Sequence, residues 1–460
     1  MFEFAAKING NNKLYGTITD MVGKTIPDKD IDAVALHINE RVNKPAHVSI
    51  VSISDDSTSV QYFESVPFDR IDSSLKRYFA VDGSYNSQEF YNGIYLGIYT
   101  AGYVCYSLGK QIRMNDSDDP VILGKSYFPK NILITNDDHR FSVFEEMMKL
   151  PPVQKMLEFF GESEGTANSV WGFGNRTKDS VCSSMSSLLG FCQEILEWSL
   201  LVEILHREEC REGDIIFRDG TLRTPNIKQH YLQKIGAYAR KRGVHIVAVT
   251  KNSPIKLELS SSLKKIDAYM EQKKKPTYPF NKTKNKRWQK LCCWFEVSDD
   301  VLVDAYPGAR SSSENNNSAP PSNYSMFAMR NLKGGRGFGI FFVARLDYVE
   351  KLQNYDWLVV DISAFDAIPS IREDMREEEV KKASRDLKFL SELFEELTHL
   401  TQEHYILGYP YPLVEAHNFV TLKRNFNDEV VNRVKASLYQ SQQMDHVDIE
   451  NMFLDLHERF

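Results

Sequence analysis

The chain has 460 residues, 42% of them hydrophobic and 26% charged, which is typical of a globular protein and excludes a disordered or fibrous chain. Its 56 basic and 63 acidic residues give a formal charge of -7, which argues against nucleic-acid binding over the whole surface but permits a local basic channel. No apolar run approaches the roughly 18 residues of a membrane helix, and the first residues lack the pattern of a signal peptide. The six cysteines form no CxxC pair, so a zinc site is disfavoured and a cytoplasmic protein with reduced thiols is expected.

The pattern of apolar residues predicts strands that alternate with helices. Strands are expected in AHVSIVSIS, FAVDGS, GDIIFRD, VHIVAVT, LCCWFEV, FAMRNL, GFGIFFVARL and WLVVDIS. Helices are expected near 153–160, over 181–209, around 227–242, over 371–403 and within YPLVEAHN. The polar segments 111–180 and 311–323 are predicted to be insertions. The alternation indicates an α/β protein with a mixed sheet flanked by helices.

Two aspartates, each followed by glycine, are expected at the ends of apolar strands: Asp82 in AVDGSY and Asp219 in FRDGTL. A carboxylate at a strand end projects from the sheet edge, where α/β folds place their sites, and the glycine permits a sharp turn. Asp-Gly is also a common turn sequence without further meaning. Both pairs follow buried-type strands with a carboxylate-bearing helix between them, and this arrangement favours a functional interpretation.

The helix between the two strands carries Glu203 as the single charge in WSLLVEIL. A lone carboxylate in an apolar run is costly to bury unless a positive or hydrogen-bonding group meets it. A divalent cation shared with Asp82 and Asp219 would supply that partner. Glu197 also lies among leucines and is the alternative third acidic ligand, and a solvated Glu203 is the structural alternative.

The later chain offers a histidine, a tyrosine and a lysine to the same site. His417 and Tyr409 lie in LGYPYPLVEAHN, and Lys251 follows the strand VHIVAVT. A lysine beside carboxylates can hold a phosphate as a point charge, although each of these residues could equally be structural. Carboxylates that converge with a histidine near two divalent ions are what metal-assisted phosphodiester hydrolysis needs, and hard oxygen ligands favour Mg²⁺ or Mn²⁺ over Zn²⁺. The order strand-Asp, helix-Glu, strand-Asp, late His is also that of a ribonuclease H-like fold.

The chain resembles the NurA nuclease family in four motifs that occur in the family's order: VDGS at 81–84, RDGTL at 218–222, VTKNS at 249–253 and GYPYPLVEAH at 408–417. The resemblance implies a ribonuclease H-like nuclease domain over 76–425 that contains the two insertions. The remaining segments are then an N-terminal extension over 1–75, which could dock a partner, and a C-terminal helical tail over 426–460.

The resemblance also implies a site and an activity. Asp82, Asp219, His417 and, by its place on the helix alone, Glu203 would bind Mn²⁺ or Mg²⁺, with Lys251 and Tyr409 as further catalytic residues. The implied activity is 5′-to-3′ exonuclease action on DNA and endonuclease action on single strands. The implied assembly is a homodimer that works with a HerA-type hexameric ATPase in DNA end processing or in defence against foreign DNA.

A basic segment over 271–290 contains eight basic residues and one acidic residue, interleaved with aromatic residues. Basic groups can follow phosphates, and aromatic rings can stack on unpaired bases. The segment is therefore expected to bind nucleic acid, unless it is a solvated loop, through Lys282, Lys284, Lys286, Arg287 and Trp288. Two other functions stay open for the whole chain: a non-catalytic nucleic-acid-binding or scaffold subunit, and an RNA-directed ribonuclease H-like nuclease.

Overall fold

The structure is a computed structural model. It describes residues 60–64, 76–90, 94–107, 110–114, 124–127, 133–135, 143–171, 184–250, 253–273, 291–297, 301–302, 337–346, 357–372, 375, 377–402 and 409–421, and the single positions 432, 435, 436, 439 and 440.

A mixed sheet of 11 described strands forms the centre of the main unit. One path through it runs in the order β1 (Gln61–Glu64), β9 (Leu291–Glu296), β10 (Gly339–Arg345), β11 (Leu358–Ser363), β8 (His245–Thr250), β7 (Ile215–Asp219), β2 (Tyr78–Phe90), β3 (Ile94–Ser107) and β4 (Lys110–Gln111). The strands β5 (Gly124–Tyr127) and β6 (Leu133–Thr135) both pair with β3. Strand β7 runs parallel to β2 and to β8, whereas β2 and β3 form a long antiparallel pair.

Helices of the main unit flank this sheet, and those within Pro254–Lys273 belong to a second compact unit. A helical segment over 143–148 precedes the labelled helices. The labelled helices are α1 (Pro151–Phe160), α2 (Met185–His206), α3 (Gln229–Arg242), α4 (Pro254–Glu258), α5 (Ser260–Lys273), α6 (Ala364–Ala367), α7 (Glu377–Lys382), α8 (Leu387–Gln402) and α9 (Tyr411–Val420). The central strands are near-continuous apolar runs, and β10 and β11 are buried along their whole lengths. Such runs are typical of strands that are covered on both faces.

The alternation of side chains along β2 and β3 determines which face each helix covers. Gly83 faces α2, because a Cβ atom on it would lie 2.6 Å from Glu197 Oε1. Gly102, the antiparallel partner of Asp82, faces α9, because a Cβ atom there would lie 2.8 Å from Val420 Cγ1. Successive residues of a strand point to opposite faces, so Asp82 and Gly83 point apart. Asp82 therefore lies on the face covered by α9, and α2 covers the other face.

The predicted mixed α/β sheet with flanking helices is confirmed, with local differences. The helix expected over 371–403 is two helices, and α8 begins where Asp386 Oδ1 accepts a hydrogen bond of 3.0 Å from the Phe389 amide. The segment 111–180, predicted as an insertion, contributes β5 and β6 to the sheet, and β1 comes from the predicted N-terminal extension. The predicted strands AHVSIVSIS and FAMRNL, the loop 311–323 and most of the tail 426–460 lie outside the described residues.

Three further features of the described residues are a second compact unit, the length and polarity of the helices, and the state of the cysteines. Helices α4 and α5 belong to a second compact unit, and this segment falls within 76–425, whose boundaries stay a prediction. In the part of the chain that the structure describes, no helix is both long enough and apolar enough to cross a membrane. Cys105, Cys192, Cys210, Cys292 and Cys293 are buried thiols.

Candidate metal centre

Asp82 and Asp219 lie side by side because their strands are parallel. In the pairing of β2 with β7, Val81 is opposite Arg218, so the next residue along each strand is one of the two aspartates. Asp219 is the last residue of β7, and Gly220 follows with a φ of 109°, a backbone conformation that favours glycine. Asp82, in contrast, lies inside β2 and not at its end, because the residues beyond it continue to pair with β3. The carboxylate is still at the edge of the parallel part of the sheet, where β7 stops.

His417 completes the group from the helix that covers this face. Its Nδ1 atom lies 2.8 Å from Asp82 Oδ2, a distance at which the ring donates a hydrogen bond to the carboxylate. One ligand atom from each of Asp82, Asp219 and His417 lies within 4.8 Å of the others. The His417 side chain is 53% exposed whereas that of Asp82 is 7% exposed. The group is therefore anchored in the protein and open to solvent on the histidine side.

The electrostatics of Asp82 leave a place for a cation. Burial and the neighbouring charge of Asp219 raise the pKa of Asp82 to about 6. Hydrogen bonds from His417 and from the Gly83 amide, the latter 2.7 Å long to Oδ1, offset part of that rise. Two adjacent carboxylates with an imidazole form a donor set that suits a hard divalent ion such as Mg²⁺ or Mn²⁺. The residues present therefore fit a divalent metal.

Tyr409 supports the carboxylate of Asp219 from below the surface. Its hydroxyl donates a hydrogen bond of 3.2 Å to the Val249 carbonyl, and its ring is only 3% exposed. Burial, and then the charge of Asp219 and a hydrogen bond with its carboxylate, raise the pKa of Tyr409 well above its ordinary value, so the hydroxyl stays protonated. Tyr409 is thus placed to orient Asp219, and its burial leaves little of it for direct contact with a substrate.

Glu203 lies apart from this group, on the opposite face of the sheet. Its Oε1 atom accepts hydrogen bonds from Lys125 Nζ at 2.9 Å and from the Tyr103 hydroxyl at 3.4 Å. Tyr103 is the cross-strand partner of Val81, so it points away from the side of Asp82. The sequence predicts that a metal ion shared with Asp82 neutralises the buried charge of Glu203. In the structure, the ammonium group of Lys125 and the hydroxyl of Tyr103 meet that charge instead.

Glu197, the alternative third carboxylate, is also on the α2 face and already has a cationic partner. Its Oε2 atom lies 2.7 Å from Arg218 Nη2, and its Oε1 atom accepts from Gln193 at 2.7 Å. Burial raises the pKa of Glu197 to about 8, against the opposing effect of Arg218. The Glu197–Arg218 pair lies next to the end of β7, because Asp219 follows Arg218 directly in that strand. Sequence reasoning missed this pair, although an arginine inside the buried strand GDIIFRD already indicates a buried anionic partner.

The remaining predicted site residues lie outside the described residues. Lys251 follows directly after β8, which ends at Thr250 next to the turn at Gly220. The five residues predicted to bind nucleic acid fall in the same category: Lys282, Lys284, Lys286, Arg287 and Trp288. Their roles stay predictions.

The described part of the chain is thus an α/β protein with a candidate divalent-metal centre on one face of a mixed sheet. No family model matches the chain, and no curated protein matches it in sequence. Among solved structures, the chain is similar to one described as the crystal structure of NurA, with 11% sequence identity and a TM-score of 0.30. The similarity covers 91% of this chain and 97% of that one.

Proposed function

We propose that the chain is a divalent-metal-dependent phosphodiesterase that cleaves DNA. The observation that carries the proposal is the convergence of Asp82, Asp219 and His417 within 4.8 Å of one another on a partly open face. A phosphodiester in a polymer needs such a site at the surface, and the 53% exposed histidine side chain provides the access.

In the proposed mechanism Asp82 and Asp219 would hold the ion, and His417, Tyr409 and Lys251 would have separate supporting roles. The bound metal would activate water and stabilise the leaving oxygen in an in-line displacement. His417 lies where it can hold or release a proton near the scissile phosphate, since Asp82 fixes the ring through Nδ1 and leaves Nε2 for the reaction. Tyr409 keeps Asp219 in position, and Lys251 would hold the phosphate as a point charge. Glu203 is left out of the ligand set because its carboxylate contacts Lys125 on the other face.

The finer assignments rest on the four ordered motifs at 81–84, 218–222, 249–253 and 408–417. They support a ribonuclease H-like core, 5′-to-3′ exonuclease and single-strand endonuclease action, and a homodimer. They also support a HerA-type hexameric ATPase as the translocating partner. The sequence contains no GxxxxGK[ST] phosphate-binding loop, which accords with a separate motor.

The test is cleavage of end-labelled linear DNA by the purified chain with Mn²⁺, with EDTA, and in Asp82→Asn and Asp219→Asn variants. Glu392→Gln, which alters a carboxylate with a 65% exposed side chain far along the chain, serves as the matched control. We expect cleavage that requires Mn²⁺, is lost in both aspartate variants and is retained in the control. Mn²⁺ binding by calorimetry should fall in the same two variants.

Each assay is repeated with a HerA-type ATPase, because a partner can be required for activity. Mn²⁺-dependent cleavage that survives in Asp82→Asn would contradict the proposed site. The absence of cleavage with and without the partner would contradict the proposed function. A clear preference for RNA would replace the DNA substrate with the RNA-directed alternative.

A further inference from the structure

An exposed aromatic side chain lies next to the candidate metal centre and has no role in the mechanism so far. Among the described residues, the large hydrophobic side chains with high exposure are Tyr85 at 41%, Leu387 at 56% and Phe419 at 42%. Tyr85 lies on the α2 face, with its hydroxyl 3.3 Å from Ser186 Oγ. Leu387 begins α8. Of the three, Phe419 is the one that α9 carries, two residues after His417.

The position of Phe419 relative to Asp82 follows from the pairing of β2 with β3. Gly102 is the cross-strand partner of Asp82 and points to the same face. A Cβ atom on Gly102 would lie 2.9 Å from Phe419 Cε1, so the ring rests on the backbone of β3 at this residue. Antiparallel partners are about 4.5–5.5 Å apart at Cα. The exposed ring is therefore one strand away from the carboxylate that would hold the metal.

Other aromatic residues of the same segment are unable to serve as a contact surface. Tyr409 is 3% exposed and Tyr411 is fully buried. Phe419 follows two exposed polar residues, His417 and Asn418, and precedes the buried Val420. A single exposed ring next to polar residues is smaller than the apolar patches that mark protein interfaces, but it matches the size of one nucleobase.

We infer that Phe419 is the platform on which one unpaired nucleobase of the substrate stacks while the adjoining phosphate lies at Asp82, Asp219 and His417. This inference rests on the proposed function and adds to it the residue that contacts a base of the substrate. Stacking on an aromatic ring tolerates every base, because each base has a π face. A base inside a duplex already stacks on both neighbours, so the platform selects single strands or frayed ends over intact duplex.

The test compares three substitutions of Phe419 on two substrates. The substrates are a single-stranded oligonucleotide and the same oligonucleotide with one abasic residue, moved stepwise past the cleavage position. Phe419→Ala should lower kcat/KM on the intact oligonucleotide by about 5- to 150-fold, the range for loss of one base–aromatic stack. Phe419→Trp should retain the wild-type kcat/KM, because tryptophan can also stack on a base. Phe419→Leu should lose as much activity as Phe419→Ala, because leucine has no aromatic ring. The control Leu387→Ala, at an exposed apolar position outside the site, should behave like the wild type.

The abasic series separates stacking from packing. At one position of the abasic residue, the kcat/KM of the wild type should fall by about the same factor as the Phe419→Ala substitution causes. The kcat/KM of Phe419→Ala should not fall further at that position, because the abasic residue and the substitution remove the same contact. Mn²⁺ affinity should be unchanged in all three Phe419 variants. Rescue by leucine, or equal losses on intact and abasic substrates, would overturn the inference in favour of a purely structural ring.

A binding experiment distinguishes failure of this inference from failure of the proposed function. An oligonucleotide with 2-aminopurine should show quenching on the wild type and on Asp82→Asn but not on Phe419→Ala. Quenching by the wild type without any cleavage would support the stacking role of Phe419 and contradict the proposed phosphodiesterase activity. Equal cleavage by the wild type and Phe419→Ala would support the phosphodiesterase activity and contradict the stacking role of Phe419. The absence of both quenching and cleavage in the wild type would contradict both proposals.

Discussion

Replacing Asp82 with asparagine should stabilise the metal-free protein at neutral pH even though it removes a proposed metal ligand. Asp82 is 5% exposed, and burial together with Asp219 raises its pKa from 3.8 to about 6. A carboxyl group whose pKa is higher in the folded than in the unfolded state contributes stability that is complete below the unfolded pKa. That stability is lost as the pH rises through the folded pKa. Asparagine has a similar shape and stays neutral, so it avoids the loss.

The magnitude follows from the size of the shift. About two pKa units correspond to about 3 kcal/mol of unfolding free energy at pH ~7.5, and to about half of that at pH ~5, where Asp82 is largely protonated in the folded state. Unfolding entropy of about 2.1 cal/mol/K per residue over 460 residues converts 3 kcal/mol into a rise in Tm of about 3 °C. The measurement is thermal unfolding in EDTA at both pH values, for wild type, Asp82→Asn and the exposed control Glu392→Gln.

Addition of Mn²⁺ should reverse the order of stability. An ion that binds only the folded state stabilises it by an amount that grows with the ratio of its concentration to Kd, so the wild type gains and Asp82→Asn does not. The control should stay within about 0.5 kcal/mol of the wild type throughout. If Asp82→Asn is no more stable than the wild type at pH ~7.5 in EDTA, or gains the same amount at both pH values, the argument from burial and charge repulsion is refuted.

Two further substitutions test the division of the sheet into two faces. Gly83→Ala should lower the unfolding free energy by about 1–3 kcal/mol, because the new Cβ would lie 2.6 Å from Glu197 Oε1. It should also weaken Mn²⁺ binding in calorimetry, because Gly83 is next to Asp82 in the same strand. Gly97→Ala is the matched control, since its nearest atom would be 3.1 Å away on a leucine side chain, and an equal effect of the two would contradict the reasoning. Glu203→Gln should leave Mn²⁺ affinity and cleavage within about threefold of the wild type while it lowers Tm, because the buried side chain loses its ion pair with Lys125. A loss of Mn²⁺ binding in that variant would return Glu203 to the ligand set.

The sequence is sufficient to predict the central strands of the sheet, but not the short strands β1, β4, β5 and β6 or the order of the strands. Strands such as GDIIFRD and VHIVAVT are buried on both faces, so their apolar runs are visible without any structure. The neighbours of each strand depend on contacts between distant segments, which one sequence does not contain. The parallel register that places Asp82 beside Asp219 is such a contact. Their proximity was therefore a hypothesis from two Asp-Gly pairs, and the structure supplies its geometric basis.

The two Asp-Gly pairs also show why one local pattern can have two physical causes. Gly220 adopts a φ of 109° and turns the chain at the end of β7, as the pattern predicts. Gly83 remains in the strand, and its missing side chain makes room for Glu197. Both glycines thus keep the preceding aspartate at the same site, one through backbone conformation and the other through close packing.

The sequence alone does not decide whether Glu203 or Glu197 is the third acidic ligand, because spacing along a helix gives no information about which face of a sheet the helix covers. Glu197 and Glu203 both lie in the apolar helix α2, and both are buried there. The strand alternation decides the matter, since Asp82 and Gly83 are consecutive and α2 covers the side of Gly83. Each of the two glutamates meets a cation on that side, Arg218 and Lys125 respectively. A metal held by Asp82 and Asp219 would therefore complete its coordination on the α9 face with solvent or substrate oxygens, next to His417, as metal-assisted phosphodiester cleavage requires.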